Sequence, residues 1–307
     1  MSLLAIFKGK GPSGFGYGST AEDVTSRLDL GGRTILLTGC NSGIGKESLR
    51  VFAKRGVHVI AAARTVEKAQ AACDDVGGET TPVGCELSEP ASVQACAAQV
   101  IKLGRPLDAI ICNAGIMALP RLNQKHGYEL QFFTNHIGHF ILVTALLDSL
   151  TDRGRVVMVS SDAHHRAPSE GIQFDNLSGE REYGAWANYG QSKLANLLFA
   201  NQLAKRLEGT GKTANSLHPG VIHTGLTRSM NPIVRGALAV GGPLVLKSVG
   251  EGAATQCYLA VHPNVEGVAG KYFSDSNVAR PSRHGRDDAM AAKLWDVSEQ
   301  IVAEVTA

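Results

Sequence analysis

Tyr189 and Lys193, in the run Tyr189-Gly190-Gln191-Ser192-Lys193, place a phenol and an ammonium four residues apart at the start of a stretch with helical apolar periodicity. On a helix such residues share one face, with Cβ atoms about 5–6 Å apart, so their polar ends can meet. Free tyrosine titrates near ~10 and free lysine near ~10.4, and neither is poised for proton transfer at neutral pH. Lowering the phenol by roughly 3 units takes about 4 kcal/mol, which a cation about 4 Å away supplies at an effective dielectric of ~20. The pair is therefore expected to form a general acid and base with a depressed tyrosine pKa. The same spacing also suits a packed tyrosine and a solvated lysine on any amphipathic helix. The elements that position the pair have to decide.

From Thr34 onward, short apolar runs alternate with helical periods, which predicts βαβ units on a parallel sheet. Strands are expected at Thr34 to Thr38, His58 to Ala62, Thr81 to Cys85, Ala109 to Asn113, Arg155 to Ser160 and Thr213 to Leu217, with a seventh at Gly270 to Phe273. Helices are expected between them, notably at Gly43 to Arg55, Ala91 to Leu103, Glu129 to Leu150 and Tyr189 to Leu207. The fold class is α/β: one Rossmann-type, doubly wound domain over residues 31–307, with helices on both faces of a mostly parallel seven-stranded sheet. Residues 1–30, rich in Gly, Ser and Thr, are expected to be an extension laid over the domain surface.

The first strand runs directly into Thr38-Gly39-Cys40-Asn41-Ser42-Gly43-Ile44-Gly45, and a helix starts at once. This is the context of a dinucleotide turn, with Gly39 for the tight turn, Gly43 for approach of backbone N–H groups to the pyrophosphate and Gly45 for close helix packing. At the end of the second strand, where an acidic residue would bond the ribose hydroxyls, stand Ala63 and Arg64. A guanidinium fork suits a 2′-phosphate, so NADP(H) is expected over NAD(H).

The bulk properties bound the rest. The chain has 307 residues, 44% hydrophobic and 19% charged, with a net charge of +2. It carries no basic stripe with interleaved aromatics, so nucleic acid is not an expected partner and a small molecule is. The six cysteines include no C-x-x-C and follow no secretory signal, which predicts free thiols in a reducing compartment, the cytoplasm first. A short N-terminal targeting segment or peripheral membrane association stays open, and no apolar run reaches the roughly 18–20 residues of an integral membrane span.

Taken together, Thr38 to Gly45, Asn113-Ala114-Gly115, Asn135-His136-Ile137-Gly138, Ser160-Ser161, Tyr189-x-x-x-Lys193 and Pro219-Gly220 resemble the short-chain dehydrogenase/reductase family over about Gly31 to Val302. Asn215 to Val221, Glu251 to Ala254 and Val268 to Ser274 resemble its retinol dehydrogenase-like branch. The resemblance implies that Tyr189 is the general acid and base, that Lys193 lowers its pKa and binds the nicotinamide ribose, and that Ser161 bonds the substrate oxygen. It also implies that Asn135 holds a water linking Lys193 to solvent. Asn41, Ser42, Gly43 and Ile44 would bind the pyrophosphate side; Asn113, Ala114 and Gly115 would line the adenosine side. Pro219, Gly220 and Val221 would pass the nicotinamide and Thr224 would bond its carboxamide. Glu86-Leu87 stands where such proteins usually carry an Asp beside the adenine.

Ser161 and Tyr189 are 28 positions apart, about twice the family's simpler spacing, so residues 162–188 are expected to fold as an insertion at the mouth of the site. Within it His164 and His165 have no third ligand in sight and are expected to be solvated, and no metal is predicted. His136 and His139 are expected to be buried and hydrogen-bonded. An apolar stretch around 225–250, broken by Gly and Pro, is expected to be a substrate lid. The expected function is reversible reduction of a ketone or aldehyde on an apolar skeleton. Two other classes stay open: an NADPH-binding regulator without turnover, and a C=C reductase of the protochlorophyllide type. The long helices at Glu129 to Leu150 and Tyr189 to Leu207 offer apolar surface for a homodimer unless core packing uses it.

Overall fold

The computed structural model describes residues 8–222 and 246–307. Within them a sheet of eight strands runs in the order β10-β9-β8-β7-β4-β1-β2-β3. The strands are β1 Thr34–Thr38, β2 His58–Ala63, β3 Thr80–Gly84, β4 Leu107–Cys112, β7 Leu150–Val159, β8 Thr213–His218, β9 Tyr272–Ser274 and β10 Asn277–Ala279, while β5 and β6 form a separate hairpin at Gln124–Lys125 and Tyr128–Glu129. Seven strands of the large sheet are parallel. The expected seven-stranded sheet thus gains an eighth, antiparallel edge strand, closed by a turn in which Asp275 and Ser276 both take positive φ, 53° and 61°. Such a turn is usually marked by Gly or Asn-Gly, and a three-residue strand carries little periodicity, so nothing in the sequence announced it.

Alternation along the strands sorts the core into two layers. Leu36, Ile60, Ile110, Val156 and Met158 face helices α4 Pro90–Lys102, α7 Ala185–Arg206 and α9 Asp288–Thr306 together with the segment 130–149. Ile35, Leu37, Val59, Ile111, Val157 and Leu217 face α2 Gly43–Lys54, α3 Val66–Val76 and α8 Val249–Val261. Within residues 20–30, part of the expected surface extension, some apolar side chains reach the core while Asp23, Ser26, Arg27 and Asp29 stay exposed. A capping box between Thr20 and Asp23 starts the short helix α1 Ala21–Thr25, and Ala21, Val24 and Leu30 join the second layer.

The strand order reverses between β1 and β4, and the crevice beyond their carboxyl ends is where this class of sheet binds ligands. Two long helices supply the other wall. Against the expectation that no apolar run reaches the length of a membrane span, the segment Leu130–Ser149 does so by length and composition, because its few polar residues are scattered among apolar ones, and it is mostly buried within the protein. It is not the continuous α-helix expected: α5 Leu130–Phe132 gives way to a π-helical turn Phe133–Ile137 before α6 Gly138–Leu146. Helix α7 begins at Ala185, four residues before the expected start, and its residues Asn188 to Ala200 are all buried in this chain. Core packing has consumed most of the surface that a dimer could have used.

Candidate active site

At the glycine loop, Gly39 and Gly43 take positive φ, 71° and 54°, and a Cβ on Gly45 would lie 2.1 Å from the Gly39 carbonyl oxygen. Each position requires glycine for a different reason, the first two for backbone conformation and the third for contact. Asn41 and Ser42 are exposed and Ile44 is half-buried. Ser42 is the N-cap of α2, yet its side chain makes no capping hydrogen bond and the first turn holds no acidic residue. The first N–H groups of α2 are thus left for an anion, which the helix dipole also favours. This end of the crevice fits the pyrophosphate of a dinucleotide.

Asn113 pins the loop from the neighbouring strand. Its Nδ2 donates to the Thr38 carbonyl at 2.7 Å and the Gly39 carbonyl at 3.3 Å. The Thr38 hydroxyl accepts from the backbone N–H groups of Asn113 at 2.9 Å and Ala114 at 3.0 Å. Sequence reasoning gave Thr38 no role of its own. A hydroxyl at a strand end beside an Asn was the available signal.

At the adenosine end, the exposed Arg64 side chain (60% accessible) meets Glu86, its Nε lying 2.9 Å from Oε2. Two residues expected to touch the cofactor separately thus touch each other. Glu86 is fixed from behind, Oε1 accepting from the Ser88 hydroxyl at 3.0 Å. Leu87 is buried, with its carbonyl 2.2 Å from where a Cβ on Gly138 would sit. It packs the sheet against the kinked helix.

The reacting end is assembled from three elements. Tyr189 and Lys193 lie on α7, Ser161 follows β7, and Asn135 lies in the π-helical turn. A π-turn re-aims one residue out of the regular helical ladder, and such turns recur at functional sites. Asn135 uses that position fully: Nδ2 donates to the Ile116 carbonyl and the Ser192 hydroxyl, each at 2.9 Å, and Oδ1 accepts from the Ile116 N–H at 2.8 Å. Ser192 then donates to the Tyr189 carbonyl at 2.8 Å, which ties the turn to α7. Gly115 lies between the groups: a Cβ there would be 3.0 Å from Asn135 Oδ1 and 3.4 Å from Lys193 Nζ.

Lys193 is 4% exposed, and its ammonium donates to the Val159 carbonyl at 3.0 Å. Burial lowers its pKa to about 8. Tyr189 does not show the depressed pKa expected from the spacing. Burial raises it to about 12, and a hydrogen bond with the Ser161 hydroxyl pulls the other way. The ammonium stands 5.8 Å from the ring centroid and is spent on a carbonyl, so its field on the phenol is outweighed by desolvation. The Ser161 hydroxyl also accepts from the Ala163 N–H at 3.1 Å, capping the turn that follows.

Residues 162–188 fold against this site. Gly190 lets them approach, since a Cβ there would lie 2.6 Å from the Ala163 carbonyl oxygen, and Gln191 Oε1 accepts the Gln173 N–H at 2.8 Å. Tyr183 donates its hydroxyl to the Leu119 carbonyl at 2.6 Å. Trp186 stands edge-on to Tyr189, ring centroids 6.1 Å apart, and carries the Arg166 guanidinium over its ring at 5.3 Å. It stays 40% exposed.

His164, expected to be solvated, is 1% exposed. Its Nδ1 lies 2.6 Å from the Ser161 carbonyl and so carries the proton; its Nε2 accepts from the Ser282 N–H at 3.0 Å. Asp162, His164 and His165 hold their possible ligand atoms within 4.8 Å of one another, but both ring nitrogens of His164 are engaged, leaving it no lone pair for a metal. His136 and His139 are buried and hydrogen-bonded, as expected. The six cysteines are all free and buried. Gly220 takes a φ of 95° beside Pro219, and Val221 is 64% exposed. Thr224 and the expected lid up to residue 245 lie outside the described residues.

The profile of the short chain dehydrogenase family matches residues 33–234, more than half of the chain. The chain belongs to that family. Among its relatives is the short-chain dehydrogenase TIC 32 B, chloroplastic, of Brassica napus, 41% identical over 98% of this chain and 99% of its own. Retinol dehydrogenase 11 of Mus musculus is 38% identical over 89% of this chain and 87% of its own, and human retinol dehydrogenase 13 is 37% identical over 90% and 86%. Among solved structures, an uncharacterized protein from Mycobacterium Paratuberculosis superposes with a TM-score of 0.76, 34% identity and coverage of 93% of this chain and 98% of that one. Members of this family use a nicotinamide cofactor, and the N-terminus of α2, uncapped by Ser42, has the character of an anion site.

Proposed function

We propose that this short-chain dehydrogenase is an NADP(H)-dependent oxidoreductase that interconverts a ketone or aldehyde and its alcohol on an apolar substrate. The observation that carries the reading is the burial of Tyr189 and Lys193 one turn apart on α7, with Ser161 near enough to influence the phenol, at the inner end of a crevice whose outer end is an uncapped helix N-terminus. The nicotinamide, when bound, supplies or takes the hydride.

Ser161 offers its hydroxyl to the substrate oxygen and stabilises the negative charge that develops there during reduction. Tyr189 donates the proton. A phenol held neutral by burial is the competent form for that step, and alcohol oxidation takes the same proton back through the same oxygen. Lys193, with a pKa of about 8, is mostly charged at neutral pH and opposes the charge left on Tyr189. Asn135 holds the loop after β4, at Ile116, and Ser192 in place beside both.

Preference for NADP(H) rests on the carboxylate-free end of β2 and on Arg64. Arg64 is 60% exposed, so its guanidinium is accessible to a 2′-phosphate while Glu86 meets Nε. The apolar substrate class rests on Trp186, an exposed large hydrophobic side chain edge-on to Tyr189, and matches the retinol named in two relatives. A reducing compartment is supported by the free, buried thiols, with the cytoplasm set against the plastid named in the TIC 32 relatives; fractionation of the tagged protein decides between them. The test of function is NADPH consumption over a panel of aldehydes, aliphatic ketones, steroids and retinoids. Turnover confined to small hydrophilic carbonyls would sink the substrate class, and a higher kcat/KM with NADH would sink the cofactor assignment.

A further inference from the structure

His139 is fully buried on α6, one turn beyond Asn135, and the family pattern gives it no task. Its Nδ1 lies 2.9 Å from the Asn135 backbone carbonyl, which can only accept, so Nδ1 carries the proton. Its Nε2, now an acceptor, takes the Thr38 hydroxyl hydrogen at 2.9 Å. That hydroxyl in turn receives the Asn113 and Ala114 N–H groups, while the Asn113 side chain holds the Thr38 and Gly39 carbonyls. One uncharged ring therefore spans from the first turn of the glycine loop to the π-helical turn that carries Asn135. Burial, opposed by the bond to Asn135 and reinforced by the nearby Lys193 charge, keeps it neutral, with a pKa of about 4. Its tautomer and both bonds persist across the working pH range.

His136, three residues earlier, shows what such a ring does when it serves packing alone. It is as deeply buried, but its Nε2 meets Ser298 on α9 at 2.8 Å, and its Nδ1 has no hydrogen-bond partner. It faces the C-terminal helix and reaches neither the glycine loop nor the reacting residues through any bond described.

We propose that His139 is a positioning residue that couples the glycine loop to the π-helical turn, so that dinucleotide held by the loop fixes the geometry of Asn135 beneath Lys193. The proposal rests on the cofactor reading above. Thr38 is the pivot: movement of the loop on binding displaces its hydroxyl, and the imidazole passes that displacement to the Asn135 carbonyl. Because the π-turn deviates from the regular hydrogen-bond ladder, that carbonyl has more freedom than one in an α-helix, and an external bond has more to hold.

The test compares wild type, His139→Phe, His136→Phe, Thr38→Val and Thr38→Ser by amide hydrogen exchange, NADPH binding and steady-state kinetics. In wild type, NADPH slows exchange across residues 133–138; in His139→Phe and Thr38→Val that protection is lost, while Thr38→Ser, which keeps the hydroxyl, retains it. His139→Phe lowers kcat about 30-fold, equivalent to about 2 kcal/mol of transition-state positioning, and leaves the NADPH Kd within about 3-fold. His136→Phe lowers the melting temperature by at least as much as His139→Phe and keeps both kcat and the NADPH-induced protection. NADPH binding with equal protection of 133–138 in wild type and His139→Phe would overturn the coupling while leaving the cofactor reading intact. A wild-type chain that binds no NADPH overturns the cofactor reading and the coupling with it.

Discussion

The two ends of the crevice are built on opposite plans. At the inner end, Tyr189, Lys193 and Asn135 are buried; Lys193 is held by Val159 on β7, and Asn135 by Ile116 after β4 and Ser192 on α7. At the adenosine end, Arg64 is exposed and held by Glu86 alone among the interactions described for it. Groups that must hold a geometry to fractions of an ångström are embedded in the core, where packing and satisfied hydrogen bonds fix them. On the proposed reading Arg64 only has to tell a phosphate from a hydroxyl, and it stands in solvent, where a flexible cation suffices and where exchange of specificity disturbs nothing else.

That contrast predicts a steep gradient of mutational effect. The largest belongs to Lys193→Met, which removes the cation beside Tyr189: kcat falls about 10³-fold, within the usual range for proton-transfer groups, as read by steady-state NADPH oxidation. Asn135→Ala comes next. It leaves the Ile116 N–H and carbonyl and the Ser192 hydroxyl without their partner, and kcat falls about 10²-fold with a lower melting temperature. At the other end, Arg64→Ala raises the KM for NADPH about 10-fold, the worth of one charge-assisted bond, and leaves kcat and the melting temperature unchanged. Should Arg64→Ala instead reduce kcat or stability as strongly as Asn135→Ala, the contrast between the two ends would be wrong.

A pH profile sharpens the same comparison. Burial lowers the Lys193 pKa to about 8, so the group loses its charge on the alkaline side at a lower pH than an ordinary lysine. For carbonyl reduction, kcat is expected to hold through neutral pH and fall as pH rises through about 8. Below that, neither Lys193 nor the neutral phenol changes state. The smallest effect is expected of Glu86→Gln, which releases Arg64 from an exposed pair and changes the KM for NADPH by about 2-fold, since exposed ion pairs contribute about 0–1 kcal/mol.

Much of the fold was legible because its signals are local. The run Thr34 to Gly45 contains a strand, a turn that needs glycine and a helix start within twelve residues, and the structure places each there. The π-turn was not legible, because Phe133 to Ile137 continues the apolar period of the helix around it and only the bonds of Asn135 to Ile116 and Ser192 reveal the change. His164 looked like a loop histidine because its second partner, Ser282, lies 118 residues away. The direction of the Tyr189 shift was misjudged for a related reason. Spacing reports that a lysine is near, but not that it is turned to the Val159 carbonyl or that both groups are enclosed.

The central claim is that Tyr189 is the proton donor of an NADP(H)-dependent carbonyl reduction, and Tyr189→Phe tests it most directly. The variant keeps the ring against Trp186 and removes only the hydroxyl. Initial rates of NADPH oxidation, with the carbonyl substrate that the panel selects, are measured beside NADPH binding by titration calorimetry. The account predicts turnover reduced by at least about 10³-fold with an unchanged NADPH Kd. Undiminished turnover in Tyr189→Phe, with cofactor bound as in wild type, would contradict it.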